Sequence, residues 1–335
     1  MWTDGHVEVA RAHLLGPWLY HELLNSHRSG VSDGMLSVLR RDYLHSSLAS
    51  MERDARLKRL LASFDARGIR VVLLKGAYLG RIVYRNPALR PMDDVDILVA
   101  EDKFEEAKNV PASLGYVLQV DALDPMHREL HPALAYVHKS RPRDAVDLHR
   151  GLWFMDYYRL SSSVVHQESS ETELEGRRVS YLSPELNFIH VALHNLTHSG
   201  GLRDWLDLVL LVTRLSIDWD RLLALGQTLD VLRPLHWVLK ELSRHWGVAV
   251  PPHVRQAVAE YEPHWLEDLV IRHRLRYLWR FASRFRYIDD RRDKLAYLRV
   301  SLFPSAAYRN AVVGTTAWVP YLRAKFRLFV HLGRC

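Results

Sequence analysis

Residues 71–99 read VVLLKGAYLGRIVYRNPALRPMDDVDILV, and the fold turns on how that stretch is read. Val71-Val72-Leu73-Leu74 is an apolar run of the length of a buried strand. It stops at Lys75-Gly76-Ala77, where small residues allow a sharp turn or a close approach of the backbone to a ligand. An apolar helical piece follows from Tyr78 to Tyr84, and Asn86-Pro87 breaks it. After Arg90-Pro91-Met92-Asp93 comes a second strand, Asp94-Val95-Asp96-Ile97-Leu98-Val99. Side chains two apart on a strand share a face. Asp94 and Asp96 therefore project together, while Val95, Ile97 and Val99 point the other way into a core. Two carboxylates held side by side repel each other, and a divalent cation relieves that repulsion.

Towards the N-terminus, apolar residues at helical spacing predict one helix from His6 to His27 and a second from Met35 to Ala66, ended by Arg67-Gly68. Towards the C-terminus the pattern predicts a helix over Glu101 to Ala112. Strands are expected at Gly115–Leu118, Leu134–His138 and Ala145–His149, with a turn at Pro142. The last of these puts Asp147 and His149 on one face. Residues 164–183 are polar and turn-rich, a hairpin or exposed loop. Ser183-Pro184-Glu185 then caps the first of a series of helices, expected near 184–198, 202–215, 218–229, 232–246, 252–260, 263–287, 289–302 and 305–331.

A chain of 335 residues is long enough for two or three domains, and 48% hydrophobic with 25% charged residues is ordinary globular composition. The single cysteine, Cys335, excludes a disulfide framework within the chain and fits a reducing, cytoplasmic setting. The first residues lack the basic and apolar regions of a signal peptide, and no apolar run is long enough to span a membrane. A net charge of +7 permits a polyanionic partner without demanding one.

Lys75-Gly76, the lead-in Leu89-Arg90-Pro91-Met92 and the strand Asp94-Val95-Asp96 together resemble the bacterial "uncharacterised nucleotidyltransferase" family of the DNA polymerase β-like superfamily. The resemblance implies an α/β (α+β) fold with a small mixed sheet, N-terminal helices and a large C-terminal helical domain. The domain bounds are then expected at 1–66, 67–163 and 164–335. It implies a third carboxylate from a neighbouring strand, for which Asp147 of Asp147-Leu148-His149 is the match. Asp94, Asp96 and Asp147 would then be both the catalytic and the metal-binding set, holding Mg2+ or Mn2+. Gly76-Ala77 stands where Gly-Ser is usual, which leaves backbone N–H groups of Gly76 and Ala77 as the contact to a triphosphate. Lys75 and Arg90 are candidate phosphate contacts, or else each pairs with an aspartate to hold the loop. His149 either bonds a carboxylate ligand or contacts the nucleotide.

The implied activity is transfer of an NMP group from an NTP, ATP first among them, to a hydroxyl. The family's habit of being encoded near natural-product genes suggests a small-molecule or peptide-derived acceptor. Alternatives are a toxin-like enzyme acting on RNA or protein, phosphoryl rather than nucleotidyl transfer, and a catalytically silent nucleotide- or partner-binding protein. His190, His194 and His198 fall at i, i+4, i+8 on one helix, a spacing open to zinc but without the HExxH glutamate. With Arg203, Asp204 and Asp207 they are expected to brace the helical domain against the site or to contact the base. Residues 264–299 interleave arginines such as Arg272, Arg276 and Arg280 with Tyr277, Trp279 and Phe281. That pattern suits RNA or a membrane surface, but better an amphipathic core helix with a solvated basic face.

Overall fold

Val71, Val72 and Leu73 are buried in succession, as a central strand covered on both faces requires. The structure is a computed structural model. It describes residues 2–25, 30–119, 133–154, 158–160, 162–174, 176–197, 201–261, 291–304, 306, 309, 310 and 314–323. The strands are β1 (Val71–Leu73), β2 (Asp94–Val99), β3 (Tyr116–Leu118), β4 (Ala133–His138), β5 (Arg141–His149), β6 (Leu152–Phe154), β7 (Tyr158–Leu160), β8 (Ser169–Leu174) and β9 (Arg177–Leu182). Seven of them form a mixed sheet in the order β3-β4-β5-β2-β1-β9-β8, and β6 pairs with β7 alone. β2 runs parallel to β5 and β1 parallel to β9, and the other neighbours are antiparallel.

Before the sheet lie α1 (Asp4–Ala12), α2 (Gly16–Asn25) and α3 (Asp33–Asp65), the last capped by Ser32, whose Oγ accepts from the Met35 N–H at 3.2 Å. The single helix expected over His6–His27 is thus two. Leu14 takes a positive φ of 59° between them, and Pro17, suited to a helix's first turn, starts α2. α4 (Lys75–Tyr78) follows β1 and continues as a π-helical turn, Leu79–Val83. The helix expected over 101–112 is broken into a 3-10 turn, α5 (Phe104–Ala107) and α6 (Asn109–Ser113). Pro111 cannot donate to Ala107, which accounts for the interruption.

One further expectation is corrected, and over 164–183 the hairpin is found of the two alternatives expected there. Pro142 lies inside β5 rather than in a turn, tolerated near the strand's start beside a bulge at Val137/His138. The 164–183 stretch holds α7 (Ser162–Gln167, which begins just before it) and the hairpin β8–β9. β9 pairs with β1, so the sheet continues past the expected boundary at residue 163 to Leu182. Val179 and Leu182 are buried on opposite faces of the sheet, which ties the hairpin into both cores.

After the sheet come α8 (Pro184–Thr197), α9 (Leu202–Arg214), α10 (Trp219–Thr228), α11 (Leu232–His245), α12 (Pro252–Ala259) and α13 (Arg291–Leu302). The expected helix over 263–287, most of the 264–299 basic stretch and His198 lie outside the described residues. One sheet face carries Val71, Leu73, Val95, Ile97, Val146 and Leu148 onto Leu57, Leu60, Leu61 and Phe64 of α3, with Phe104 and Val110. The other carries Val72, Leu74 and Leu98 onto α8–α12. Among the described residues no helix is long and apolar enough to cross a membrane.

Candidate active site

The parallel pairing of β2 with β5 sets Asp94 beside Ala145, Asp96 beside Asp147 and Leu98 beside His149. Paired residues in a parallel ladder point to the same face. Asp94, Asp96, Asp147 and His149 therefore share the face that α8 and α9 cover. Ligand atoms of Asp96, Asp147 and His149 lie within 4.8 Å of one another. Asp96, 3% exposed, is the centre: its Oδ1 meets His149 Nε2 at 2.9 Å and accepts from Lys75 Nζ at 2.8 Å.

Lys75 reaches Asp96 from the turn between β1 and α4, with φ of +39°. A non-glycine residue rarely adopts that region, and such strain concentrates at functional sites. Here the turn is pinned by the Leu74 N–H on the Asp96 carbonyl (3.1 Å) and by the ion pair itself.

Electrostatics separates the three aspartates. Burial opposes ionisation of Asp96, but Lys75 and His149 more than offset it and hold the carboxyl well below its usual range. Among the described residues Asp94 has no hydrogen-bonded or ion-paired partner of this kind, and the more distant Lys75 charge only partly offsets what raises it. Burial, then the charges of Asp96 and Asp147, push it up to about 6. Asp147 is raised by burial and by Asp96. Burial lowers Lys75, yet Asp96, with Asp94 and Asp147 behind it, leaves it above its ordinary value. His190, on α8, is pushed down to about 3 by burial and by the Lys75 charge, so it is a neutral imidazole at physiological pH.

Arg90 takes the second of the roles left open for it. Its Nε and Nη2 meet both Asp207 oxygens at 2.7–3.1 Å, and Tyr84 OH donates to the same carboxylate at 2.8 Å. Arg90 and Asp207 are both buried, and the pair ties β2's lead-in loop to α9. The Nε and Nη2 of Arg90 are thus engaged by Asp207, while Arg90 also lines a cavity beside the cluster. Arg203 Nη1 adds a bond to the Pro91 carbonyl (3.1 Å) and Arg53 Nη2, from α3, one to the Met92 carbonyl (2.6 Å). Three arginines thus clamp the loop that delivers Asp94.

The clamp also explains Gly76. A Cβ there would stand 2.5 Å from Met92 Sδ and 2.8 Å from Arg90 Nη1, so only glycine lets the loop close on the turn. Ala77 corrects an expectation: its N–H donates to the Leu74 carbonyl at 3.2 Å and its side chain is buried in the core under α3. It offers no backbone donor to a ligand.

A cavity of about 170 Å3 opens beside the cluster, lined by Lys75, Gly76, Asp94, Asp96, His194 and Arg203 among others. Sequence reasoning identified Asp94, Asp96, Asp147, His149 and Lys75, and the structure brings all five together. It did not identify Arg53 as part of the clamp, because 39 residues separate it from Met92 and nothing local marks it. The bracing by Arg203 and Asp207 was one of two expectations.

The donor set fits a divalent metal. Carboxylate oxygens suit Mg2+ and Mn2+, Asp94 and Asp147 are raised by crowding with like charge, and the Lys75 ammonium already serves as countercharge on Asp96.

A mixed sheet with a carboxylate pair on one strand, a third carboxylate on its parallel neighbour and a glycine turn before them is the arrangement that the sequence resemblance implied. Residues 3–247, 245 of the 335, match the profile of the family described as "Uncharacterised nucleotidyltransferase", and the chain belongs to that family and is a transferase of nucleotidyl groups. No curated protein matches the sequence. Among solved structures the chain is similar to the antibiotic-resistance factor ANT(2'')-Ia. The solution structure shares 15% identity, covering 58% of this chain and 98% of that one, with a TM-score of 0.41. A crystal structure of ANT(2'')-Ia in complex with adenylyl-2''-tobramycin shares 13% identity, covering 71% and 99%, with a TM-score of 0.30.

Proposed function

We propose that the protein moves an NMP group from an NTP, ATP first among them, to a hydroxyl of a small-molecule or peptide-derived acceptor, with Mg2+ or Mn2+ held by Asp94, Asp96 and Asp147. The observation that carries this is the β2–β5 register, which sets Asp96 beside Asp147 with Asp94 on the same face. The bound metal supplies Lewis-acid stabilisation of the phosphoryl oxygens and lowers the pKa of an attacking hydroxyl. The cavity of about 170 Å3 is smaller than a pocket for a whole drug-sized ligand, about 300–1,000 Å3, and suits the phosphate end of the nucleotide. Lys75 and Gly76 line that cavity, and in this reading they are the contacts to those phosphates. His149 orients Asp96 through its Nε2 contact. Asp94 and Asp147, raised by burial and by like-charge crowding, gain most from the charge of the metal, and the acceptor hydroxyl, its pKa lowered, gives up its proton to water. The acceptor oxygen bonds to the α-phosphorus, the bond from that phosphorus to the bridging oxygen breaks, and pyrophosphate leaves with the electron pair.

The test is pyrophosphate release from each of the four NTPs with Mg2+ and a cell extract as acceptor pool, for the wild type and for Asp94→Ala/Asp96→Ala. Release by the wild type alone supports the reading. Transfer of the γ-phosphate without pyrophosphate replaces it with a kinase-like one. Loss of metal-dependent NTP binding from the wild type sinks it.

A further inference from the structure

The cavity of about 170 Å3 is too small to hold an acceptor as well, and a second space lies across the Met92-Asp93 loop from it. A groove of about 1260 Å3 runs between the N-terminal helices and the β4–β5 end of the sheet. Its walls include Leu14 and Leu48 on the helical side and Val137, Arg143 and Ala145 on the sheet side. Met92 and Asp93 line both spaces, and Ala145 is the register partner of Asp94. The two spaces thus lie on either side of the Met92-Asp93 loop, and the groove comes up to Asp93, the neighbour of Asp94, and to Ala145, its register partner. An in-line displacement needs the nucleophile and the leaving group on opposite sides of the phosphorus.

The charges in the groove are unevenly spent. Arg11 pairs with Asp42, while Arg56 and Arg141 both pair with the buried Asp144. Arg53 and Arg143 make no ion pair among the described residues. Both belong to the end of the groove nearest the cluster: Arg53 through its bond to the Met92 carbonyl, Arg143 through its place two residues before Ala145. Burial and then the Arg56 charge depress Arg53, only partly offset by Asp54 and Asp93, so the spot is under-neutralised. Further out, Leu14 and Leu48 are 41% and 64% exposed, large apolar side chains without cover.

We propose that this groove is the acceptor site, and that it takes an acceptor carrying an anionic group, carboxylate or phosphate, close to its reacting hydroxyl, with an apolar extension along α3. The proposal rests on the nucleotidyl-transfer reading and gives the N-terminal helices the task of choosing the substrate. The groove's volume exceeds that of a usual small-molecule pocket, which matches a chain-like acceptor rather than a lone sugar or amino acid.

The experiment measures binding of four probes to the full-length protein by calorimetry, beside binding of ATP·Mn2+ to the same samples. The probes are N-octanoyl-L-serine, its uncharged amide, octanoyl-glycerol 3-phosphate and L-serine. At least one of the two anionic, tailed probes is expected to bind about tenfold more tightly than the amide and than L-serine. Which of the two is preferred separates the carboxylate from the phosphate source. Arg143→Glu is expected to abolish the preference for the anion and Leu48→Asp the preference for the tail, both with ATP·Mn2+ affinity unchanged. Equal binding of acid and amide, binding indifferent to both substitutions, or no binding of any probe would overturn the acceptor proposal while ATP·Mn2+ binding stands. Loss of ATP·Mn2+ binding in the wild type would instead overturn the nucleotidyl-transfer reading beneath it.

Discussion

The two faces of the central sheet are built from alternate residues of the same strands, yet they are made differently. Towards α3, Val95, Ile97, Val146 and Leu148 pack in an apolar cluster, and the buried Asp144 near the start of β5 is met there by Arg56 of α3 and by Tyr116 OH. Towards α8 and α9, Leu98 shares β2 with Asp94 and Asp96, and β5 presents Asp147 and His149. The centre of the first face is filled by apolar side chains, and its one buried carboxylate among the described strands, Asp144, sits at the rim with its partners. The second must place buried charges, and it does so with partners brought from far along the chain: Lys75 for Asp96, Arg90 and Tyr84 for Asp207. Substitutions on the first face should therefore change stability alone, while those on the second should change stability and chemistry together.

The largest effect is expected for Asp96→Ala. It removes the acceptor of both Lys75 and His149 and leaves a buried ammonium unpaired, at about 3–5 kcal/mol. Pyrophosphate release should fall by about a thousandfold or more. Urea denaturation and a release assay on one preparation check both numbers, and a variant with ordinary stability would show that Lys75 does not depend on Asp96.

Next comes Asp207→Ala, which strands Arg90 and Tyr84 in the interior. A stability loss of about 3–5 kcal/mol is expected, with a smaller fall in turnover than for Asp96. Equal falls in turnover would mean that Asp207 belongs to the chemistry and not only to the clamp.

Asp94 offers a change of the opposite sign. A carboxyl whose folded pKa is raised to about 6 binds a proton that the unfolded chain releases near 3.8. Its contribution to stability is therefore lost as pH rises from about 4 to above 6, by up to about 3 kcal/mol. Metal-free Asp94→Asn should melt higher than the wild type at pH 8 and match it below pH 4, and Mg2+ should narrow the gap at pH 8 by stabilising only the wild type. A melting-temperature difference that does not depend on pH would show that the crowding at Asp94 is not electrostatic.

The smallest effect is expected on the apolar face. Ile97→Val removes one methylene from a fully buried site and should cost about 0.5–1.5 kcal/mol, with kcat/KM unchanged within error. A change in turnover there would break the division between the faces.

Much of this was legible from residues 71–99. The period of two placed Asp94 and Asp96 together and Val95, Ile97 and Val99 opposite, because alternation is a local property of a strand. The same rule paired Asp147 with His149. Helix ends at Arg67-Gly68 and Ser183-Pro184 followed from capping and from proline's missing N–H, while the Ser32 cap, three residues before the expected start at Met35, was not read. Boundaries inside helices were less legible. Leu14 and Lys108 lie in runs whose apolar spacing continues through the break, and only Pro17 and Pro111 nearby mark it.

What the sequence by itself determined is the local half of the site: which carboxylates share a face, where the glycine turn falls, and which family the strand and its lead-in resemble. What only the tertiary structure decided is which charges meet. Asp96 and His149 are 53 residues apart and Arg90 and Asp207 are 117 apart, and no local pattern ties either pair. The pairing of Arg90 with Asp207, the closing of Ala77's N–H onto Leu74, and the groove beside α3 all follow from strand order and helix packing. The physical reason is the range of the forces. Backbone sterics and side-chain alternation act within a few residues, whereas a buried charge is stable only beside a partner, and the fold alone decides which partner arrives.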